Sequence, residues 1–230
     1  MFHARAIVAL HELTNLGAYA RQLHQGEEPL LRIVLGDLCP RAVVLPTLSA
    51  FFAEHDRTRL HLDYEAIGGP AERLRTETAD LAFHRVEASS MGLEHIALRE
   101  IRLVPVAAAG FLPFSTEGLT PDRLRPFMQC VIRDTAQEGA SEQHFLVDGS
   151  ARCSVADHNM KKELILHRLA WGHLPDFMIE EELRTGVLVS LRGHDLPGRI
   201  EMLAAVRIRD KPHGPVASTL WRHLAEAFKV

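Results

Sequence analysis

The strongest constraint on what this chain can fold into lies between Leu31 and Phe83, where short apolar runs alternate with helical segments. Residues 31–36 are apolar almost throughout, with the length and make-up of a strand buried on both faces. The chain then turns at Asp37 and enters a helix with Pro40 in its first turn and with Leu45, Leu48 and Phe52 spaced to face a sheet. Residues 60–67 read as a second strand, Gly68, Gly69 and Pro70 turn it, residues 71–78 form a helix, and residues 79–83 form a third strand that leaves through His84 and Arg85. Strand, helix, strand, helix, strand specifies a parallel sheet covered on both faces. Right-handed crossovers bring the ends of such strands to one edge, and ligands sit outside that edge. Asp37, Leu38, Cys39, Gly68 and Arg85 are therefore expected on one wall of a crevice.

The remainder supplies a second wall. Residues 96–109 read as a strand that leads into a crossing point at Gly110 to Pro113, and a short helix at 121–128 follows. A second sheet is expected to start at Cys130, Val131 and Ile132 and to exit at Arg133, Asp134 and Thr135, with at most one of Arg133 and Asp134 facing the cleft because strand neighbours point to opposite sides. A polar loop, 137–143, comes next, and Asp148-Gly149 predicts a tight hairpin turn and an antiparallel ribbon. From Asp157 or Asn159, both good N-cap types, a helix is expected to bury Met160, Leu164, Ile165 and Leu169 while Lys161, Lys162 and Glu163 stay wet. Trp171 to Pro175 suits a buried strand end, an acidic helix runs from Pro175 until Gly186 stops it, and residues 187–191 are a short strand. A strand at 200–208 and a helix at 215–228 return to complete the first domain. Two sheets joined by two crossings make a hinged cleft, and Arg133, Asp134, Thr135, His158 and Asn159 are expected on its far side.

The run from Asp157 to Val189, with KKELIL, then WG and LP, then EEL and a glycine before LV, resembles the effector-binding domain of LysR-type transcriptional regulators. Together with the opening block LRIVLGDLCPRAVVLPTLSAFFAEH, the resemblance covers residues 31–228. It departs from the family just before Trp171, where His167, Arg168, Leu169 and Ala170 stand in place of the usual glycine pair. The resemblance implies an α/β, periplasmic-binding-protein-like (type II) fold of two Rossmann-like subdomains joined by two hinge crossings. On this basis residues 29–110 and 199–230 form subdomain I, and residues 111–198 form subdomain II. It also implies that residues 1–28, with Ala6, Ala9, Leu13, Leu16, Ala20 and Leu23 at a/d-like spacing, are a linker helix that pairs with its own copy in a dimer or tetramer. The same periodicity suits an ordinary amphipathic helix. DNA contact, by this resemblance, belongs to an N-terminal winged helix-turn-helix that the chain does not contain.

Composition narrows the function classes. A net charge of -4 argues against a DNA-binding surface on this segment. No run approaches the length of a membrane span and no signal peptide is legible at the N-terminus, so a cytoplasmic location is expected. Cys39, Cys130 and Cys153 have no paired spacing and are expected as reduced, buried thiols, with an activated Cys39 as the lesser alternative. The 14 histidines are scattered, which points to surface residues and to no metal. The nucleophile elbow, the phosphate-binding loop, the dinucleotide fingerprint and the zinc-protease motif are all absent from the sequence, so neither an enzyme nor a cofactor is expected. What remains is a small-molecule effector held across the cleft, with helix starts near residues 40, 70 and 159 offering N–H groups and Arg85 and Arg133 forking onto a carboxylate. A small organic acid suits such a site best. Asp37 and Asp134 keep an amino-acid-like effector as the second choice, and a solute-binding protein of a transport system is the rival reading.

Overall fold

A computed structural model of the chain describes residues 28–86, 92–137 and 145–228. The helix expected over residues 3–25 lies outside the described residues, as does all of the polar loop at 137–143 except Gln137. Nine strands are present among the described residues: β1 (Leu30–Gly36), β2 (Arg59–Glu65), β3 (Leu81–Arg85), β4 (Leu93–Ala108), β5 (Gln129–Ile132), β6 (Arg152–Val155), β7 (Gly172–Pro175), β8 (Leu188–Ser190) and β9 (Arg199–Ile208). The helices are α1 (Arg41–Glu54), α2 (Gly69–Arg75), α3 (Pro121–Leu124), α4 (His158–Leu166), α5 (Glu180–Thr185) and α6 (Pro215–Ala227), with a 3-10 turn at Asp176–Met178.

The first part folds as its alternation dictates. β1 lies between β2 and β3, parallel to both. The expectation of two separate sheets, however, is corrected. One path runs β2-β1-β3-β9-β4-β7, with β8 also on β4, because β4 is long enough to serve both sides of the molecule. At 16 residues it reaches about 50 Å. Its first part pairs antiparallel with β9, and its last residues pair with β7 and β8. A bulge between Ala97 and Arg99 interrupts the β4–β9 ladder, which lets the strand bend between its two tasks.

The predicted antiparallel ribbon is also corrected. A turn forms at Asp148-Gly149, but the chain then enters β6 parallel to β5, with Cys130 opposite Cys153. The backbone before the turn finds a side chain in place of a partner strand. Gln129 Oε1 accepts from the Val147 N–H and Gln129 Nε2 donates to the Phe145 carbonyl, so the segment needs no ladder of its own. β5 is tied to the larger sheet by a bridge between Gln129 and Trp171.

Two helices turn inward differently from their sequence reading. α1 buries Val44, Leu48 and Phe51, and Leu45 is exposed. On α4 the buried stripe is His158, Lys161 and Ile165, spaced i, i+3 and i+7, whereas Met160 and Leu169 are more than half exposed. Lys162 is not in open water either, since its Nζ donates to the Met178 carbonyl and pairs with Glu182 at 2.5 Å. The cap sets this phase. Asp157, not Asn159, holds the helix start by accepting from the Met160 N–H.

The core lies on both faces of the long sheet. Leu31, Ile33, Leu48, Phe83, Ile101 and Leu220 pack between the sheet and α1 with α6, and Val34, Leu74 and Ala82 pack on the opposite face under α2. At the far end of β4, Val106, Ile165, Leu174 and Leu188 pack under α4 and α5, and Trp171, Leu124 and Leu191 form a neighbouring cluster.

The missing glycine pair before Trp171 is accommodated by strain. Arg168 N–H donates to the Ile165 carbonyl and Leu169 N–H to the Leu164 carbonyl, the two bonds of a Schellman cap on α4. Arg168 sits at the position that this motif gives to glycine, with φ of 59° and an exposed side chain. A left-handed non-glycine residue costs about 1 kcal/mol or more, part of which glycine would lose again to the entropy of the unfolded chain. Arg168→Gly is therefore expected to stabilise the domain by about 0.5 kcal/mol, read as a higher urea midpoint with an unchanged slope.

Candidate functional site

A cavity of about 310 Å³ opens between the two sides of the molecule. The first side contributes Asp37 and Leu38 from the β1–α1 turn, Ile67 from the turn before α2, and Arg85 from the end of β3. Leu103 of β4, β5 and the residues after it, Phe145 and Leu146, β6, α4 and His173 of β7 contribute the rest. The carboxyl ends of β1, β2 and β3 thus meet the cavity as parallel topology requires.

Of the residues expected here from sequence, Asp37, Leu38, Arg85, Arg133, Asp134 and His158 line the cavity, and Cys39, Gly68, Thr135 and Asn159 do not. Arg133 and Asp134 both reach it because β5 ends at Ile132, so strand alternation no longer separates them. Cys39 is a core residue beside Leu35 and Val44, and burial pushes its thiol up to about 12, against the pull of Arg41, which removes the activated-thiol alternative. Asn159 is exposed on α4. Of the three helix starts expected to converge, only that of α4 lines the cavity with residues of the helix itself, His158 and Lys161.

Gly68 and Thr135 belong instead to a latch that joins the two sides beside the cavity. Thr135 Oγ1 donates to the Ala66 carbonyl at 3.0 Å and accepts from the Ala66 N–H at 2.9 Å. Asp134 Oδ1 accepts from Gly68 N–H and Ala136 N–H, each at 3.0 Å, and Gln137 N–H donates to Glu72 Oε2 at 2.9 Å. The contact is close enough to require glycine on one side, since a Cβ on Gly69 would stand 2.0 Å from Thr135 Oγ1.

Asp37 is likewise engaged. Its Oδ1 accepts from the Ile67 N–H at 3.3 Å, and its Oδ2 lies 3.5 Å from His158 Nε2, with both side chains 6% exposed. Burial alone would raise the Asp37 carboxyl, but His158, His84 and the Ile67 N–H outweigh it and hold Asp37 well below the usual range. For His158 burial wins over Asp37 and lowers the ring toward its neutral form, with Lys161 adding to the effect. His158 and His173 are both buried. His173 stacks on Phe145 with centroids 4.2 Å apart, and burial together with the Lys161 charge depresses it to about 3.

Lys161 is the residue that the sequence reading missed most clearly. It is 5% exposed, its side chain lines the cavity, and no carboxylate among the described residues pairs with it. Burial lowers its ammonium to about 8, against the pull of Cys130, Asp37 and Cys153. The side chain reaches inward over Gly172, where a Cβ would come within 2.8 Å of Lys161 Cε. The legible signal was the cap. Taking Asp157 as the sole N-cap puts His158, Lys161 and Ile165 on one stripe. Arg152 and Phe145 were missed as well, since nothing local distinguishes them from loop and edge residues.

Four basic side chains, Arg85, Arg133, Arg152 and Lys161, line the cavity against two carboxylates that already accept backbone N–H groups. The arrangement attracts an anion. Among the described residues no cluster of three or more His, Cys, Asp or Glu is placed to hold a metal, and no helix is long and apolar enough to cross a membrane. The latch has its own consequence. Thr135→Val keeps the shape but removes both hydroxyl bonds, so hydrogen exchange at the Ala66 amide is expected to quicken by about tenfold, and Thr135→Ser is expected to retain the slow rate.

Comparison with known proteins agrees with this geometry. The family model described as the LysR substrate binding domain matches residues 24–229. A similar curated protein is the uncharacterized HTH-type transcriptional regulator YeeY of Escherichia coli (strain K12), 31% identical over 184 residues, which is 78% of this chain and 59% of the relative. The chain therefore spans about 59% of that relative's length. Among solved structures, the regulatory domain of HypT from Salmonella typhimurium in its apo form is similar at a TM-score of 0.62 and 19% identity, covering 86% of this chain and 94% of that one. DarR of Vibrio fischeri in complex with DNA is similar at 0.61 and 17%, covering 98% of this chain and 77% of that one. The shared fold is the type II periplasmic-binding-protein-like arrangement of two α/β subdomains joined by two hinge strands. Of these, YeeY is by name an HTH-type transcriptional regulator and DarR a member of the LTTR family. By the match over residues 24–229, this chain belongs to the LysR substrate-binding domain family.

Proposed function

We propose that this chain is the effector-sensing part of a LysR-type transcriptional regulator, and that a small organic acid held in the cavity between the subdomains is the signal. The observation that carries the reading is the charge of the lining, with four basic side chains against two occupied carboxylates. That balance favours a carboxylate ligand over an amino-acid-like one, because Asp37 and Asp134 already accept from Ile67 and from Gly68 and Ala136. An incoming ammonium group would have to displace those bonds or share them.

On this reading the subdomains divide at 29–110 with 199–230 and at 111–198, and the effector acts by preferring one closure angle of β4 and β9. The latch between Ala66 to Gly68 and Asp134 to Ala136 is the contact whose making or breaking distinguishes the closure angles. Self-association, for which the segment at residues 1–28 is the proposed element, carries the change to DNA-binding domains. A ligand shifts this balance only by its difference in affinity for the two arrangements, so a tenfold difference supplies about 1.4 kcal/mol.

A thermal-shift screen with small carboxylates, amino acids and the amides of the same acids tests the proposal. Carboxylates are expected to raise the melting temperature in proportion to their occupancy, with amides and amino acids inert. Arg133→Ala is expected to weaken an acidic hit by about tenfold, measured by calorimetric titration. A preference for amino acids, or the absence of any carboxylate response, would overturn the assignment.

A further inference from the structure

The cavity has one group whose presence the fold itself does not explain. An unpaired ammonium taken out of water is costly, whereas an exposed surface pair such as Arg184–Glu181 contributes little. Lys161 bears the first kind of cost without a carboxylate partner among the described residues. Leu38, Leu103 and Leu146 give part of the wall an apolar surface. We propose that the inner end of the cavity is an anion subsite built on Lys161, which makes this lysine the residue that selects a carboxylate over its neutral amide while the apolar walls take the ligand's body. The inference rests on reading the cavity as the effector site and adds which residue reads the charge.

The groups facing Lys161 decide how such a subsite behaves. Cys130 approaches from β5, Cys153 from β6, Asp37 from the first subdomain and His158 from the preceding turn of α4, with His173 on β7. Arg85, Arg133, Arg152 and Asp134 line the same space. Burial lowers His158, and it takes His173 down to about 3 and Cys130 up to about 12, so neither of the latter two changes charge between pH 7 and 9.5. Lys161 does, because burial places its free-state ammonium near 8. An anion favours the protonated lysine. Affinity is therefore level below pH 8 and falls above it as the free protein loses the proton that the complex must regain. About one part in thirty of the lysine remains charged 1.5 pH units above its pKa, which sets the expected loss at roughly thirtyfold.

The folded domain without ligand shows the opposite trend. A lysine with a depressed folded pKa opposes folding below about 8, and that opposition is relieved as pH rises toward the unfolded value of 10.5. Lys161→Met is accordingly expected to melt higher than the parent chain at pH 7, which reports that the variant folds.

Hexanoate and hexanamide serve as the probe pair, titrated into the whole chain and followed by the NMR shift of the Gly172 amide, which lies against the Lys161 side chain. The expected result is that hexanoate binds at least tenfold more tightly than hexanamide at pH 7 and loses that advantage by pH 9.5. Lys161→Met is expected to lose most of the preference for hexanoate and all of its pH dependence over this range. Hexanoate binding that is insensitive to pH and survives in Lys161→Met, yet is lost in Arg133→Ala, would overturn the Lys161 subsite and leave the effector reading standing. No hexanoate binding at tens of millimolar would overturn both.

Discussion

The antiparallel ladder between β4 and β9 is the constraint on which the rest of the structure depends. It runs from Leu93 opposite Ile208 to Leu103 opposite Arg199, and the far end of β4 continues beyond it to carry β7 and β8. Because one strand belongs to both sides, the subdomains cannot separate, and their freedom is confined to bending and twisting of this pair. The bulge between Ala97 and Arg99 loosens the ladder within its length, and the strand takes up its second set of partners at Leu103. A cavity between two bodies that share their hinge strands is therefore always present, and only its width is free to vary.

Electrostatics then decide what the cavity accepts. Polar groups along its rim are spent on each other: Asp134 on Gly68 and Ala136, Thr135 on Ala66, and Asp37 on Ile67 and His158. Gln129, on the wall, is spent on the backbone of Phe145 and Val147. These bonds close the subdomains together but leave little acceptor capacity for a guest. Lys161 differs in kind, since it is buried with no carboxylate among the described residues to neutralise it. On the proposed reading, a site whose acids are occupied and whose buried base is not discriminates by charge before it discriminates by shape.

How far this was legible in the sequence depends on the range of the interactions that decide each feature. The α/β alternation over residues 31–83, the cap at Asp157, the stop at Gly186 and the long C-terminal helix are set by local propensity and by side-chain periods, and all are present. The resemblance of the run from Asp157 to Val189 identified the family for the same reason, since the motif is a string of local caps, turns and strand ends. Even the departure at Arg168 was visible, but not its outcome. The Schellman bonds of α4 form with arginine in the left-handed position because burial of Ile165 and Trp171 on either side fixes the path of the turn.

By itself the sequence determined the order and type of most elements and the family, because each follows from neighbours within a few residues. Only the tertiary structure decided that β4 is shared, that β6 runs parallel to β5, that Thr135 and Gly68 form a latch, and that Lys161 points inward. These depend on contacts between residues distant in the chain, such as Thr135 with Ala66 and Lys161 with Cys130. A lysine between Met160 and Lys162 carries no local mark of burial. Its environment is set by where Asp157 starts the helix and by what β5, β6 and β7 place opposite it, and that is a property of the packed molecule alone.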